Sequence, residues 1–317
     1  MTRKDIAIAL LLTVLCAVVA LASPQFLSVA NLQNVGRLVG TYGIFSIGVG
    51  LVIISGGIDL SVGSICALLG VLLSMMLVEW HWPPTVAVAA ALAIGACLGA
   101  VHGVLITRLR LQPFIVTLCG LLLYRGAARY IARDSTKGFG AGQGFEWVRT
   151  IAAGSLGGVP MPFVLLAIVG VVAWLLLHRS VFGRHLVAIG RNEEAARYAG
   201  VRTQAVVTWA YVISGTLAAV SAIIIAFYTN SISPASHGNF YELYAIAAAV
   251  VGGCSLRGGE GSIVGIVMGA ALLQVIRNLV NLLDIPSSLD FAVMGGVILV
   301  GAIADRLVAQ RSRRTEP

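Results

Sequence analysis

The residues with the clearest chemistry lie in two glycine-rich runs. The first, Ile54-Ser-Gly-Gly-Ile-Asp-Leu-Ser-Val-Gly-Ser64, contains Ser55, Gly56, Gly57, Asp59, Ser61 and Gly63. The second, Val251-Gly-Gly-Cys-Ser-Leu-Arg-Gly-Gly-Glu-Gly-Ser262, contains Gly252, Gly253, Gly258 and Gly259. Each sets Gly-Gly after an apolar stretch and Gly-Ser at the start of the next. A helix break inside lipid frees peptide groups that only protein or a water-filled cavity can satisfy. Paired glycine interruptions in the two halves of a chain therefore point to a transport path. Asp59 and Ser61 fall where a carboxylate and a hydroxyl can cap the first N–H groups of a new helix. Two readings stay open: tight turns with Asp59 as a plain cap, or irregular backbone beside a translocation path.

A third feature lies between His178 and Arg202. Asn192-Glu-Glu-Ala-Ala-Arg-Tyr-Ala199 predicts a short helix. Asn192 suits the N-cap, Glu193 and Glu194 the first turn, and Gly200 the C-terminal stop. Ala195 and Ala196 keep its middle small, so it could lodge in a groove of another protein. A solvated connector is the alternative.

The residue inventory excludes much else. A Walker-type ATP-binding loop needs Gly-Lys followed by Ser or Thr, but the only lysines are Lys4 and Lys137, after Arg3 and Thr136. Neither sits where a retinal Schiff base would need it. Ion-coupled carriers usually keep acids deep in their spans; here Asp59, Glu242, Asp284 and Asp290 all fall at helix ends or in loops. His102 is the only histidine well inside an apolar run, and no protease-like serine motif accompanies it. Cys16, Cys66, Cys97, Cys119 and Cys254 have neither disulfide nor zinc spacing. No catalytic residue, metal or cofactor is expected in this chain.

The elements that must position these runs are apolar helices. Of the 317 residues, 58% are hydrophobic and 11% charged, with a mean hydropathy of +0.95. Soluble domains are about 25% charged, so so few charges could not clothe a water-exposed domain of this size. The fold class is all-α: a polytopic transmembrane helix bundle in a single domain over residues 1–317. A span needs about 20 apolar residues. Allowing ends to borrow an interfacial residue, ten segments read as spans, near 6–22, 37–54, 60–78, 84–106, 112–131, 161–178, 206–228, 240–253, 262–280 and 289–305. The glycine runs then separate spans two and three, and spans eight and nine. The short eighth segment also allows nine spans plus a re-entrant piece. Arg3-Lys4 before an apolar run ending Ala20-Leu21-Ala22 has the form of a signal peptide, but nine further segments favour a retained first helix.

Lys and Arg set the orientation. With the N-terminus inside, fourteen of the 21 lie on the cytoplasmic side. Arg37, Arg125, Arg129, Arg133, Lys137, Arg149 and Arg277 lie outside. Both termini (tails 1–5 and 306–317) and the loop of about 179–205 are then cytoplasmic. The net charge of +8 follows largely from this asymmetry and needs no nucleic acid. Arg125, Arg129 and Arg133 cluster toward the outer side, either to meet a partner or as a topological anchor. Gly95, Gly99 and Gly103, and likewise Gly261, Gly265 and Gly269, lay bare stripes on one helix face for close helix packing.

The sequence resembles the permease subunits of bacterial ABC sugar importers of the ribose, galactose and arabinose type, within the branched-chain permease superfamily. Glu194-Ala-Ala-x3-Gly200 is similar to the loop by which such permeases engage their ATPase, and Ser55-Gly-Gly-Ile-Asp-Leu-Ser-Val-Gly63 looks like the hallmark of the sugar branch. Gln112-Pro-Phe-Ile-Val-Thr-Leu118, Gly190-Arg-Asn-Glu-Glu-Ala-Ala196 and Tyr241-Glu-Leu-Tyr-Ala-Ile-Ala-Ala248 match as well, so the resemblance covers about residues 26–305. It implies an importer for a monosaccharide or similar small polar solute in the bacterial inner membrane. Its partners would be cytoplasmic ATPase subunits, a periplasmic solute-binding protein and a second permease subunit, identical or a sister chain. It makes residues 192–200 the coupling helix, and it puts Ser55–Gly63, Glu242, Tyr244 and the second glycine run along the path. Tyr244 and Glu260 depart from many relatives, which carry Asp at the first position and a basic or small residue at the second. An importer for branched-chain amino acids, a non-transporting assembly subunit and an ion-coupled carrier are the alternatives.

Overall fold

The computed structural model describes residues 3–140 and 144–286, with Leu289, Ala292, Gly295, Gly296 and Leu299 beyond them. The expected tenth span and the C-terminal tail lie largely outside the described residues. The helices are α1 (Arg3–Ala22), α2 (Val29–Ile54), α3 (Val62–Ser74), α4 (Pro84–Arg108), α5 (Pro113–Ala132), α6 (Glu146–Ala153), α7 (Met161–His178), α8 (Val181–Arg191), α9 (Glu193–Tyr198), α10 (Thr203–Thr229), α11 (Tyr241–Val251) and α12 (Ile263–Leu282). A wider turn over Met75–Glu79 prolongs α3. Two short β pairs, Lys137–Gly138 with Ser231–Ile232 and Ser155–Leu156 with Val159–Pro160, tie loops together.

Eight of these helices, counting α3 with its extension, are long and apolar enough to cross a membrane. The protein is an all-α, multi-pass membrane bundle. The expected eighth span is corrected: α11 has 11 residues, about 17 Å at 1.5 Å per residue, roughly half of a hydrocarbon core near 30 Å. The polar run after Thr229 makes a loop where a longer helix would begin, and left-handed turns at Asn230 and Phe240 bound it. Two further helices went unread. The expected loop after His178 contains α8, and the opposite end carries α6; both are amphipathic and bury only a few residues. The second span also starts earlier than expected, at Val29, because the Ser28 hydroxyl caps Asn31 N at 3.3 Å.

The most enclosed helix is α2; α1 is the least. The glycine stripes pack as anticipated. A side-chain carbon at Gly99 would run into the Tyr211 carbonyl of α10, and one at Gly269 into the Ala248 carbonyl of α11. Bare glycine lets those backbones touch, which is how helices associate without a hydrophobic drive between them.

Candidate functional site

The first break begins where α2 ends. Gly56 takes φ +85°, and the chain runs without helix to Ser61 before α3 starts at Val62. Asp59 and Ser61 are fully buried there, at 1% and 0% exposed. Asp59 Oδ1 accepts from the Ser61 amide at 3.0 Å and from the Ser61 hydroxyl at 2.6 Å. Its Oδ2 accepts from the Ser214 hydroxyl of α10 at 2.9 Å. Asp59 therefore closes a turn onto Ser61, the residue before α3, and bonds no N–H of the helix itself. Ser61 does not cap the helix either, because its hydroxyl is committed to Asp59 and makes no bond to a helix N–H.

The chain of contacts continues outward. Ser61 Oγ lies 3.4 Å from His102 Nδ1, and His102 Nε2 lies 2.9 Å from the Tyr124 hydroxyl. Since Ser61 gives its proton to Asp59, its oxygen must accept from His102, which leaves Nε2 to accept from Tyr124. Every donor thus points toward the carboxylate. The freed carbonyl of Ile58 accepts from the Tyr211 hydroxyl at 3.1 Å, while the nearby Thr117 hydroxyl gives its proton to the Pro113 carbonyl at 2.8 Å. Ser214 is the twelfth of the 27 residues of α10, about 17 Å from that helix's start. The break is therefore at membrane depth and is satisfied by side chains of α4, α5 and α10.

The second break follows α11. Gly253, Gly258 and Gly259 have φ of +88°, +85° and +75°, and the Ser262 hydroxyl caps α12 by accepting from Gly265 N at 3.4 Å. Gly252 packs directly on Gly265. The two breaks touch. The Gly259 amide donates to the Ile54 carbonyl at 2.8 Å, and a side-chain carbon at Gly258 would stand 2.8 Å from both Gly56 Cα and the Gly190 carbonyl. Gly190 and Arg191 close α8, and Arg191 Nε donates to the Gly259 carbonyl at 3.4 Å.

The next residue starts the predicted short helix. Asn192 Oδ1 accepts from Ala195 N at 2.9 Å, so Asn192 is the N-cap of α9 as expected. Glu193, Glu194 and Ala195 are exposed and Ala196 is buried. Gly200 ends the turn at φ +84° with open space around it. A cavity of about 810 Å³ joins α9 to the first break: Glu193, Glu194 and Arg197 line one side, and Ser55, Gly56 and Gly57 another. Asp59 and Ser61 do not line it.

The remaining candidates separate. Gly63, at the start of α3, abuts the Gly238 carbonyl and Glu242 Oε2 at the start of α11, so two interrupted helices begin side by side. Tyr244 lies elsewhere, 5.8 Å from the Tyr42 ring and beneath the Arg277 guanidinium.

The arginines expected as an outer cluster do not form one. Arg125 turns inward and donates to the Pro234 and His237 carbonyls at 3.1 and 2.5 Å, clamping the loop between α10 and α11. Burial and the Arg125 charge push the His237 imidazole down to about 4. Arg129 instead pairs with Asp134 at 2.6 Å. Arg37 and Arg277, counted as outer charges, lie over the rings of the exposed Tyr228 and the buried Tyr244. His102, Tyr124, Tyr211 and Ser214 were not among the sequence candidates. A single histidine inside a glycine-striped span was the one available signal.

Interrupted helices at membrane depth, joined to a short exposed helix at one end, define a membrane permease. The chain belongs to the family described as branched-chain amino acid transport system / permease component, whose model matches residues 31–302. It is 40% identical over 295 residues to the ribose import permease protein of Escherichia coli (strain K12), covering 93% of this chain and 91% of that protein. The ribose import permease protein of Bacillus subtilis (strain 168) is 38% identical over 296 residues, covering 93% and 90%. The xylose transport system permease protein of Escherichia coli (strain K12) is 31% identical over 344 residues, covering 90% and 87%. No solved structure matches the chain.

Proposed function

We propose that the chain is the membrane-spanning subunit of an ATP-driven importer that moves a monosaccharide into the cytoplasm. ATP is hydrolysed by separate cytoplasmic ATPase subunits. A periplasmic binding protein delivers the sugar to the opposite face, and a second permease subunit, identical or a sister chain, completes the complex. The protein lies in the bacterial inner membrane with both termini, α8 and α9 in the cytoplasm.

The observation that carries this reading is the junction of Ile54, Gly190 and Gly259. Three residues after Gly190 the chain enters α9, and at Gly190 it rests on both breaks at once. Force applied to Glu193–Tyr198 by an ATPase passes through Asn192 and Arg191 into the ends of α2 and α12. Close-packed backbones with no intervening side chains transmit such a push as a rigid shift. The sugar permeases named above, similar over nine-tenths of the chain, favour a sugar over the amino acids in the family's description.

The test is uptake into proteoliposomes bearing the permease with its ATPase and binding protein. ATP-dependent accumulation of ribose or xylose, but not leucine, is expected. Uptake that follows a proton gradient without ATP hydrolysis would overturn the reading.

A further inference from the structure

α5 stands outside the junction that gears α9 to the two breaks. It packs chiefly on α3 and α4, and Ile115, Leu118, Leu122 and Leu123 leave its far side exposed. Against α3 it offers a small residue, Ala128, which packs with Ala67 and Leu68. A contact that smooth lets one packed helix slide along another.

One side chain interlocks with this surface. His102 of α4 is 1% exposed, and its imidazole lies in a notch on α5. The notch exists because residue 120 is glycine: a side-chain carbon there would stand 2.5 Å from His102 Nε2 and 2.9 Å from its Cε1. One turn further along, the Tyr124 hydroxyl meets Nε2 at 2.9 Å. On the opposite edge of the ring, Nδ1 lies 3.4 Å from Ser61 Oγ, which bonds Asp59 within the first break. Tyr211 meets the imidazole edge-on at 6.5 Å, holds the Ile58 carbonyl and lines the cavity beside α9. His102 therefore touches the break with one edge and α5 with the other.

Two features distinguish this from ordinary packing. A histidine inside a span is costly and is retained where it serves function. A glycine in a helix interior weakens that helix. Neither residue strengthens its own helix, yet together they key α4 into α5. A close-packed key passes a shift onward as a rigid displacement, where a smooth contact would slip.

We propose that His102 is a positioning residue of the transport cycle, making α5 follow the first break when α9 is pushed. The shift passes from Gly190 to the end of α2, through Asp59 and Ser61 to His102, and from there to Gly120 and Tyr124. This inference rests on the importer reading and carries its motion to a helix beyond the Ile54–Gly190–Gly259 junction.

The experiment uses the full complex in proteoliposomes, with the five native cysteines replaced. Spin labels at Leu123→Cys of α5 and Val171→Cys of α7, both on exposed faces, report the distance between the two helices. It is measured at rest and after vanadate trapping of the ATPase. With His102 in place, trapping is expected to move the distance by about 2 Å, the scale of helix shifts in such transitions. In His102→Leu, ATP hydrolysis is expected to continue while that movement disappears and ribose uptake per ATP falls roughly fivefold or more. His102→Gln keeps a polar group facing Tyr124 and should lose less of both. Tyr124→Phe removes only the hydroxyl and should lower uptake per ATP roughly twofold; it decides the matter should His102→Leu fail to insert. A trapped α5 that does not move in the presence of His102 overturns the proposal. So does movement and uptake per ATP unchanged in His102→Leu, or, where that variant does not insert, unchanged uptake per ATP in Tyr124→Phe. In those cases ATP-dependent uptake by the unsubstituted complex still stands, whereas its absence overturns the importer reading and this inference with it.

Discussion

The Ile54 carbonyl, at the end of α2, accepts a 2.8 Å hydrogen bond from the amide of Gly259. These residues stand more than two hundred positions apart in the sequence, and the bond joins the two glycine breaks. Gly190 fits against both partners so closely that it has no room for a side chain. The short helix that follows is therefore geared to both interruptions through main-chain contacts at Gly190, joined by the Arg191 side chain on the Gly259 carbonyl.

The cap of that helix should matter to coupling more than to assembly. Replacing an asparagine N-cap by alanine typically costs about 1 kcal/mol, a large fraction of what holds the six residues of α9 in register. Asn192→Ala is expected to leave insertion and thermal stability nearly unchanged while lowering uptake per ATP hydrolysed several-fold. Gly200→Val, which places a branched residue at φ +84°, should act in the same direction and more strongly. The ratio of sugar transported to phosphate released checks both.

Asp59 is predicted to behave as an anchor. Asp59→Ala leaves the Ser61 hydroxyl, the Ser61 amide and the Ser214 hydroxyl without their acceptor, at about 1–3 kcal/mol for a buried group left unpaired. Melting in detergent should fall markedly, and uptake should fall with the amount of folded protein. Ser214→Ala removes one of these bonds and should be milder. Loss of uptake by Asp59→Ala at wild-type stability would instead make Asp59 a solute contact.

The loop between α10 and α11 should respond to pH. His237 is neutral when docked, with its titration moved from near 6.5 down to about 4. An undocked loop binds the proton more readily, so docking is strongest above pH 6.5 and weakens as pH falls toward 4. The full difference is about 3 kcal/mol from linkage. Proteolysis or hydrogen exchange at residues 233–239 should accelerate over that window. His237→Gln, which cannot take up the proton, should flatten the response.

Much of the fold was legible because lipid imposes long apolar runs and glycine breaks stand out against them. The α9 cap was legible because its residues are local: Asn192 bonds a group three positions away. Long-range partners left no local mark. Ser214 reaches Asp59 across 155 positions, and only the fold brings His102 beside Ser61. Charge counting could assign Arg125 and Arg277 a side but not their partners, since composition cannot tell a free arginine from one turned onto carbonyls or a ring. α6 and α8 were missed because neither is apolar enough to register as a span. The eighth segment already read as short, and α11 is shorter still because the left-handed Phe240 and the turn at Gly252 bound it.

The most direct measurement of the gearing is sugar uptake and ATP hydrolysis in one reconstituted complex carrying Gly190→Ala. The added methyl group would collide with the Ile54 carbonyl and the Gly259 amide, a strain of about 1–3 kcal/mol placed on the junction. Hydrolysis that continues while ribose uptake falls at least tenfold, with normal amounts of inserted protein, is the predicted result. Uptake that stays in wild-type proportion to hydrolysis would contradict it.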